Sequence, residues 1–283
     1  MMGHGLNSLE FSLIVCLVGA AAGFLGALTG LGGGVVITPV LTLLFGIDIR
    51  YAIGATLVSV IATSSGAASA FLKEGFSNIR IGMFLEIATT FGAIAGAFLA
   101  TRIPTSALGV ILGLVLLYSA FLSTRPKPEI RDSDPADPLA ERLHLNSSYP
   151  TPHGWQAYRV QRVKTGFGLM FGAGAVSGML GIGSGALKVL AMDHAMRIPF
   201  KVSTSTSNFM IGVTAAASAG VYLNRGYIDP ALAMPVMLGV SAGSLLGARH
   251  LSGAETRALR VIFGVVVAVL AVEMIYSGLR GRI

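Results

Sequence analysis

The chain has 283 residues, of which 53% are hydrophobic and only 12% are charged, and its mean hydropathy is +0.75. Soluble domains carry about 25% charged residues, so this composition excludes an ordinary soluble enzyme or binding domain. The net charge of +7 comes without basic clusters that alternate with aromatic residues, so no nucleic-acid partner is predicted.

Ten apolar stretches, five in each half, predict an all-α polytopic membrane protein. Several of them reach the roughly 20 residues that an apolar helix needs to cross a bilayer. The second stretch of each half has only about 15, so it is a tilted short crossing, part of a broken helix or a re-entrant element. The stretches are residues 9–29, 33–47, 51–72, 79–100, 104–122, 165–181, 184–198, 202–223, 229–248 and 256–279.

The distribution of Lys and Arg residues distinguishes a second stretch that crosses the membrane from one that re-enters it. If all ten stretches cross, fourteen basic residues lie on one side and five on the other, whereas two re-entrant stretches change the numbers to twelve and seven. The positive-inside rule therefore favours ten crossings, with both termini outside and the central segment in the cytoplasm. Because each half then crosses five times, the two halves are predicted to be inverted repeats.

A glycine motif occurs once in each half, at an interval of about 151 residues. Its first copy is Gly-Leu-Gly-Gly-Gly at residues 30–34, and its second is Gly-Ile-Gly-Ser-Gly at residues 181–185. Other residues correspond at nearly the same interval, and a slip of one residue aligns Thr56 with Thr206. Repeated halves with glycine-interrupted apolar segments are typical of transporters whose substrate site lies between the halves.

In the first half, the motif allows one helix to end and another to begin inside the protein, because glycine adopts backbone conformations closed to other residues. A helix that begins at Gly32, Gly33 and Gly34 would point unpaired N–H groups and the positive end of its dipole into the break. The sequence thus predicts an anion-binding cradle, to which Thr56 adds a hydroxyl. Tight helix packing without a ligand is the alternative.

Glu86 is an ionisable residue well inside the fourth apolar stretch. The corresponding position of the second half is the uncharged Met237, and no cation is evident near Glu86 in the sequence. Carboxylates inside membrane segments commonly belong to proton pathways. Glu86 is therefore predicted as a proton-coupling candidate.

The segment between the halves is the one region with soluble character. Residues 123–163 hold six of the eleven prolines together with mixed charges, and residues 139–146 are a candidate short helix. We expect a cytoplasmic, flexible, proline-rich linker between transmembrane repeats 1–122 and 164–283. A regulatory or partner-docking segment is the alternative.

In the second half, the opposing cradle is predicted at Gly183, Ser184 and Gly185, three residues before Lys188. A buried lysine in a membrane segment is costly and usually faces a cavity or a partner. Lys188 is accordingly predicted to bind an anionic substrate. The alternatives are a side chain that extends to the cytoplasmic face or pairs with Asp193.

Residues 203–208 form a run of six hydrogen-bonding side chains at the start of the next apolar stretch. Hydroxyl and amide groups bind oxyanions without adding fixed charge, so Thr206 and Asn208 are predicted to contact the substrate. The alternative is helix capping and interhelical hydrogen bonding. The five His residues are scattered, so the sequence predicts neither a metal site nor a cofactor, and no nucleophile–base pair of an enzyme is indicated.

These motifs resemble those of the TauE/SafE family of sulfite exporters. The resemblance rests on residues 23–34 and 54–57 in the first half, and on residues 177–185 and 205–209 in the second. It implies a multi-pass inner-membrane permease that exports sulfite or related sulfur-containing and organic anions. The chain departs from the family pattern in its proline-rich linker and at Ser184, which replaces a glycine, so the anion is left open.

The sequence therefore predicts an anion transporter that works by alternating access between two inverted repeats in the cell inner membrane. Its expected partners are a small anion, such as sulfite or a sulfonate, and the lipid bilayer, while homo-oligomer formation is left open. An anion channel or a membrane subunit of a larger complex is the alternative function.

Overall fold

The computed structural model of the chain describes residues 7–29, 34–73, 76–124, 137–151, 154–183, 185–250 and 256–283. These residues form eleven α-helices, one π-helical turn and one two-stranded sheet. The elements are α1 Ser8–Thr29, α2 Gly34–Phe45, α3 Ile49–Lys73, α4 Ile79–Ala100, α5 Thr105–Thr124, α6 Pro138–Arg142, β1 Ser147–Thr151, β2 Gly154–Tyr158, α7 Val163–Leu180, α8 Gly185–Leu190 with the π-helical turn Ala191–Ala195, α9 Phe200–Asn224, α10 Pro230–His250 and α11 Thr256–Leu279.

The predicted apolar stretches lie on α-helices, except that residues 184–198 hold only the short α8 and the π-helical turn, and the chain is a helical membrane protein. Among the described residues, Ile79–Ala100, Val163–Leu180 and Pro230–Gly247 are long and apolar enough to cross a membrane. Shorter apolar helical segments occupy Leu9–Leu25, Gly34–Phe45, Ile49–Ser64, Thr105–Phe121 and Gly264–Leu279. The number of crossings and their inverted arrangement stay predictions.

The exposed surface of α4 is apolar, as expected of a helix that faces lipid. Its exposed large side chains recur every three or four residues, so they form one stripe along the helix. A stripe of this kind is unfavourable in water and stable against hydrocarbon. The stripe consists of Met83, Ile87, Phe91, Ile94 and Phe98.

Two helix pairs, α1 with α10 and α4 with α7, pack through glycines that allow the backbones to touch. A methyl group on Gly23 would collide with the backbone of Val240, and one on Gly174 would collide with the backbone of Thr89. Gly23 corresponds to Gly174, and Thr89 to Val240, at the interval of the glycine motif. The same close contact therefore occurs twice, with the halves exchanged.

A cation–π contact is repeated in the same way at the starts of α3 and α9. The Arg50 guanidinium carbon lies 5.7 Å from the centre of the Tyr227 ring. The Lys201 Nζ lies 5.6 Å from the centre of the Phe76 ring. Each half thus places a basic side chain over an aromatic ring of the other half.

The segment between the halves differs from the flexible linker that the sequence predicts. Its helix α6 is capped by Asp137, whose Oδ1 accepts a hydrogen bond from the Leu139 amide at 2.9 Å, and Pro138 occupies the first turn. The helix spans only part of residues 139–146, and the antiparallel hairpin of β1 and β2 that follows was not predicted.

This segment is packed onto α4. Ala140, Leu145 and Tyr158 are buried in one apolar cluster with Ile81. At the start of α4, the Asn78 Nδ2 donates to the Leu145 carbonyl at 3.1 Å and to the Tyr158 hydroxyl at 2.7 Å. Burial raises the pKa of the Tyr158 phenol, which keeps this hydroxyl neutral and able to accept that bond. The described part of the segment is therefore a docked element rather than a free tether.

Candidate functional site

The second glycine motif breaks the chain inside the protein, between α7 and α8. Gly181 and Gly183 both have a φ of +70°, in the left-handed region that favours glycine. Gly181 ends α7, and its amide donates to the Ser177 carbonyl at 2.8 Å. Gly181, Ile182 and Gly183 are all buried, so the break is enclosed by the other helices.

The first glycine motif is described only from its last residue. Gly32 and Gly33 lie outside the described residues, and so does Ser184 of the second motif. Gly34 is the first residue of α2, a 12-residue helix that is buried from Gly34 to Thr42. A buried helix start presents its free amide groups to whatever fills the neighbouring space.

The start of α2 lies against the end of α7. A methyl group on Gly34 would lie 3.6 Å from the carbonyl oxygen of Gly181 and 2.9 Å from the Thr56 methyl carbon. Since Gly34 belongs to the first half and Gly181 to the second, the two chain breaks lie side by side. Thr56 of α3 closes one side of this junction.

An apolar pair closes the junction between α3 and α9. Methyl groups on Gly34 and Gly185 would lie 2.8 Å from Val60 and 2.9 Å from Ile211, respectively. One on Gly183 would contact both side chains, at 3.5 Å and 3.1 Å. Val60 and Ile211 correspond to each other at the interval of the glycine motif, so each half supplies one equivalent side chain.

Among the described residues, Thr56 and Ser207 carry hydroxyl groups beside the two breaks. The Thr56 hydroxyl donates to the Ala52 carbonyl at 2.8 Å and shares a hydrogen bond of 2.9 Å with the Thr38 hydroxyl. The Ser207 hydroxyl donates to the Gly185 carbonyl at 3.3 Å. Ser207 therefore has the place in the second half that Thr56 has in the first. An interval of 151 residues, kept constant along the chain, aligns Thr56 with Ser207. The alignment of Thr56 with Thr206, which needed a shift of one residue, was therefore wrong.

Two residues predicted to bind the substrate, Thr206 and Asn208, have no described contact with the junction. The Thr206 Oγ1 accepts a hydrogen bond of 3.1 Å from the Asn78 amide, at the start of α4. Asn208 is half-buried on α9. Thr206 thus follows the interhelical alternative of the sequence analysis.

Lys188 and Glu86 are connected by a residue that the sequence analysis missed. The Lys188 Nζ donates to the Thr214 hydroxyl at 2.6 Å, and that hydroxyl donates to the Glu86 Oε1 at 2.7 Å. Lys188 and Thr214 are fully buried, and Glu86 is 9% exposed. Thr214 lies on α9 in the same row as Ser207 and Ile211, at a helical spacing that could have identified it.

This connection removes one alternative for Lys188 and changes one expectation for Glu86. Lys188 does not extend to the surface, because its ammonium group is held inside the protein by Thr214. Glu86 does have a cation nearby, although the sequence showed none, since Lys188 comes from a distant segment. The described residues therefore contain a polar chain, Lys188–Thr214–Glu86, one helical turn beyond Gly185.

The junction offers donors for a small anion but no described metal site. Backbone amides, two hydroxyls and one buried ammonium group lie on elements that meet at the breaks. Within the described part of the chain, no group of three or more His, Cys, Asp and Glu residues could hold a metal ion. The arrangement suits binding and release more than covalent chemistry.

Comparison with known proteins assigns nearly the whole chain to one family. The family model for the sulfite exporter TauE/SafE matches residues 15–274. The probable membrane transporter protein YunE of Bacillus subtilis is 26% identical over 275 residues, which cover 94% of this chain and 98% of that protein. The probable membrane transporter protein MJ0441 of Methanocaldococcus jannaschii is 26% identical, with 94% and 98% covered. No solved structure matches the chain significantly.

Proposed function

Because this chain belongs to the sulfite exporter TauE/SafE family, we propose that it exports sulfite or a related sulfur-containing or organic anion across the cell inner membrane. The chain is a membrane transporter, and its relatives are named membrane transporter proteins. The choice of anion, the direction of transport and the mechanism are proposals that go beyond this assignment. The anion and the mechanism are proposed from the junction between the two chain breaks, and the direction is proposed from the family.

The observation that carries the proposal is the meeting of both chain breaks beside a buried lysine. Gly34 lies beside the Gly181 carbonyl, which a methyl group on Gly34 would contact, and Lys188 lies one turn beyond Gly185 without exposure to solvent. A small oxyanion there would accept hydrogen bonds from amides at the start of α2 and would partly neutralise the ammonium group. The compact ammonium group of lysine suits a small, highly charged anion. The planar guanidinium group of an arginine would instead favour an anion bound through two oxygens.

In the proposed site, the donors come from both halves. The first half supplies the backbone amides of residues 32–34 and the Thr56 hydroxyl. The second supplies the amides of residues 183–185, the Lys188 ammonium and the Ser207 hydroxyl. Since α8 keeps α-helical geometry for only six residues, the Lys188 ammonium group of α8 and the Ser207 hydroxyl of α9 contribute more than the helix dipole of α8.

Alternating access follows from the likeness of the halves. The paired contacts Gly23–Val240 and Gly174–Thr89 support two inverted repeats with equivalent packing. If the halves can exchange conformations, rocking them against each other exposes the shared junction first to one side and then to the other. Val60 and Ile211, one from each half, would separate the site from the closed side.

The test is sulfite transport by the purified protein in liposomes. We expect saturable sulfite flux in the wild type and at least a tenfold loss in Lys188→Ala, since a charge-assisted hydrogen bond is worth about 1.5–3 kcal/mol. Lys164→Ala is the matched control, because this lysine is exposed at the start of α7 and should leave flux unchanged.

Parallel measurements with isethionate, sulfoacetate and acetate identify the anion. Sulfonate flux without sulfite flux would retain the site and replace the substrate. If none of the four anions moved, the transport proposal would be contradicted in favour of a subunit that needs a partner.

A further inference from the structure

Among the described residues, one oxygen of the buried Glu86 carboxylate has no hydrogen-bond partner. The Oε1 accepts from Thr214 at 2.7 Å and from the Thr90 hydroxyl at 3.2 Å. The Oε2 is buried and, among the described residues, makes no hydrogen bond. An unpaired carboxylate oxygen in an apolar interior is unfavourable, and a proton on that oxygen would remove the charge.

Lys188 supplies the charge that balances Glu86. A fully buried ammonium group is strongly unfavourable unless a counter-charge is near, and Thr214 connects it to the carboxylate by two short hydrogen bonds. Among the described groups, Lys188 is the charged residue that acts on Glu86. Among the described residues, the helices packed against α4 and α8 carry other titratable groups, namely Tyr118, Lys164, Lys201, Tyr222, Asp193 and His194, and Tyr158 of β2 lies at the start of α4.

Those other groups are placed differently from Lys188. Lys164, Lys201 and His194 are exposed. The Tyr222 hydroxyl donates to the Met179 carbonyl at 3.0 Å, near the end of α7. Asp193 is buried on the π-helical turn that follows α8. The Glu86–Lys188 pair is thus a unit joined through Thr214.

We infer that Glu86 and the substrate anion compete for Lys188, and that a proton on Glu86 releases Lys188 to the anion, so that each anion is carried with one proton. This inference rests on the proposed function, because it takes the junction as the anion site. The proton comes from solution, binds the Glu86 carboxylate and leaves it on the other side of the membrane.

The competition follows from charge. With Glu86 ionised, a singly charged anion such as bisulfite at Lys188 would leave two negative charges against one positive charge in an apolar interior. With Glu86 protonated, that singly charged anion meets one cation, and the site is neutral. Anion binding and proton binding therefore strengthen each other by the same factor. The sign is fixed: acid favours anion binding, and alkali weakens it.

Thr214 is a positioning residue in this scheme. Its hydroxyl accepts from Lys188 and donates to Glu86, so it holds the two charged groups in line. When Glu86 is protonated, the hydroxyl can turn back to the Met210 carbonyl, which lies 3.0 Å away. That turn loosens the bridge without moving a helix.

The test compares Glu86→Gln with Glu273→Gln in liposomes. The first variant mimics protonated Glu86, and the second removes an exposed carboxylate from α11. Sulfite exchange is measured with equal pH on both sides, and net sulfite accumulation is measured with an acid gradient. Because sulfite itself titrates near neutrality, every comparison is made between variants at the same pH.

We expect the wild type and Glu273→Gln to accumulate sulfite with the acid gradient. Glu86→Gln should exchange sulfite but lose gradient-driven accumulation. At pH values where Glu86 is ionised in the wild type, the ratio of the sulfite affinity of Glu86→Gln to that of the wild type should rise by about tenfold for each pH unit, as linkage to one proton requires. Thr214→Val should reduce the wild-type pH dependence, and Thr214→Ser, which keeps the hydroxyl, should restore it.

Gradient-driven accumulation by Glu86→Gln equal to that of the wild type would overturn the inference while the exchange assay still supported sulfite transport. A wild type that fails to exchange sulfite at equal pH would instead contradict the proposed substrate, and the inference would fall with it. If Glu86→Gln does not fold, the contrast between Thr214→Val and Thr214→Ser decides the matter: equal pH dependence in both contradicts the inference.

Discussion

Two neighbouring residues of α9, Thr206 and Ser207, carry hydroxyls with different contacts. Ser207 reaches the Gly185 carbonyl at the junction, and Thr206 accepts from the Asn78 amide at the start of α4. Adjacent residues of a helix point in directions about 100° apart, so only one of them can face the break. The chemistry of the hydroxyl run could be predicted from the sequence, but the direction of each side chain depends on the packing of α9.

This difference predicts that two alanine substitutions affect sulfite affinity differently. Ser207→Ala should weaken the apparent sulfite affinity several-fold, because it removes a donor at the junction. Thr206→Ala should lower stability by about 1 kcal/mol, the typical value of a lost hydrogen bond, and leave the affinity unchanged. Concentration-dependent sulfite flux and thermal unfolding of the purified variants measure both quantities. The reverse pattern would return Thr206 to the anion site.

The pairing of Lys188 with Glu86 belongs to the same scale. Both residues were recognisable from the sequence as costly charges in apolar segments. Their connection was not, because residues 86 and 188 are far apart in the chain and Thr214, the bridge, resembles many other helix threonines. Only the packing of α4, α8 and α9 brings the three side chains together.

At the scale of the elements, the helices were predictable and the hairpin was not. Long apolar runs leave a helix as the stable backbone structure inside lipid, so length and composition locate the segments. The hairpin of β1 and β2 lies in a proline-rich stretch, and its stability comes from tertiary burial of residues such as Leu145 and Tyr158. Local sequence patterns do not predict that burial.

The orientation of the elements gives a further prediction. With Cys16 replaced by serine, a single cysteine at Arg102, in the turn after α4, should react with a membrane-impermeant maleimide added outside intact cells. A cysteine at His144, before β1, should react only after the membrane is opened, because the central segment is proposed to be cytoplasmic. Both positions are exposed, so burial does not confound the comparison. Labelling of both from the same side would contradict the inverted arrangement.

On the scale of the whole molecule, two similar halves enclose one junction with unequal charge. The backbone contacts recur at the interval of the glycine motif, yet Lys188 corresponds to Ile37 and Glu86 to Met237. In the proposed mechanism, a symmetric frame would allow the site to face either side with similar packing energy, while the single charged pair would define one binding site. The duplication was visible in the sequence, whereas the meeting of the two breaks became visible only in three dimensions.

The central claim, that this chain carries an anion by alternating access, is tested most directly by counterflow. Liposomes with the purified protein are loaded with unlabelled sulfite and diluted into a trace of radiolabelled sulfite, without a pH gradient. A carrier that presents one site to each side in turn should accumulate label transiently above its equilibrium level. Each unlabelled sulfite that leaves brings the empty site to the outer face, where a labelled sulfite binds and is carried inward. Label that only rises steadily to equilibrium would indicate a channel and contradict the account.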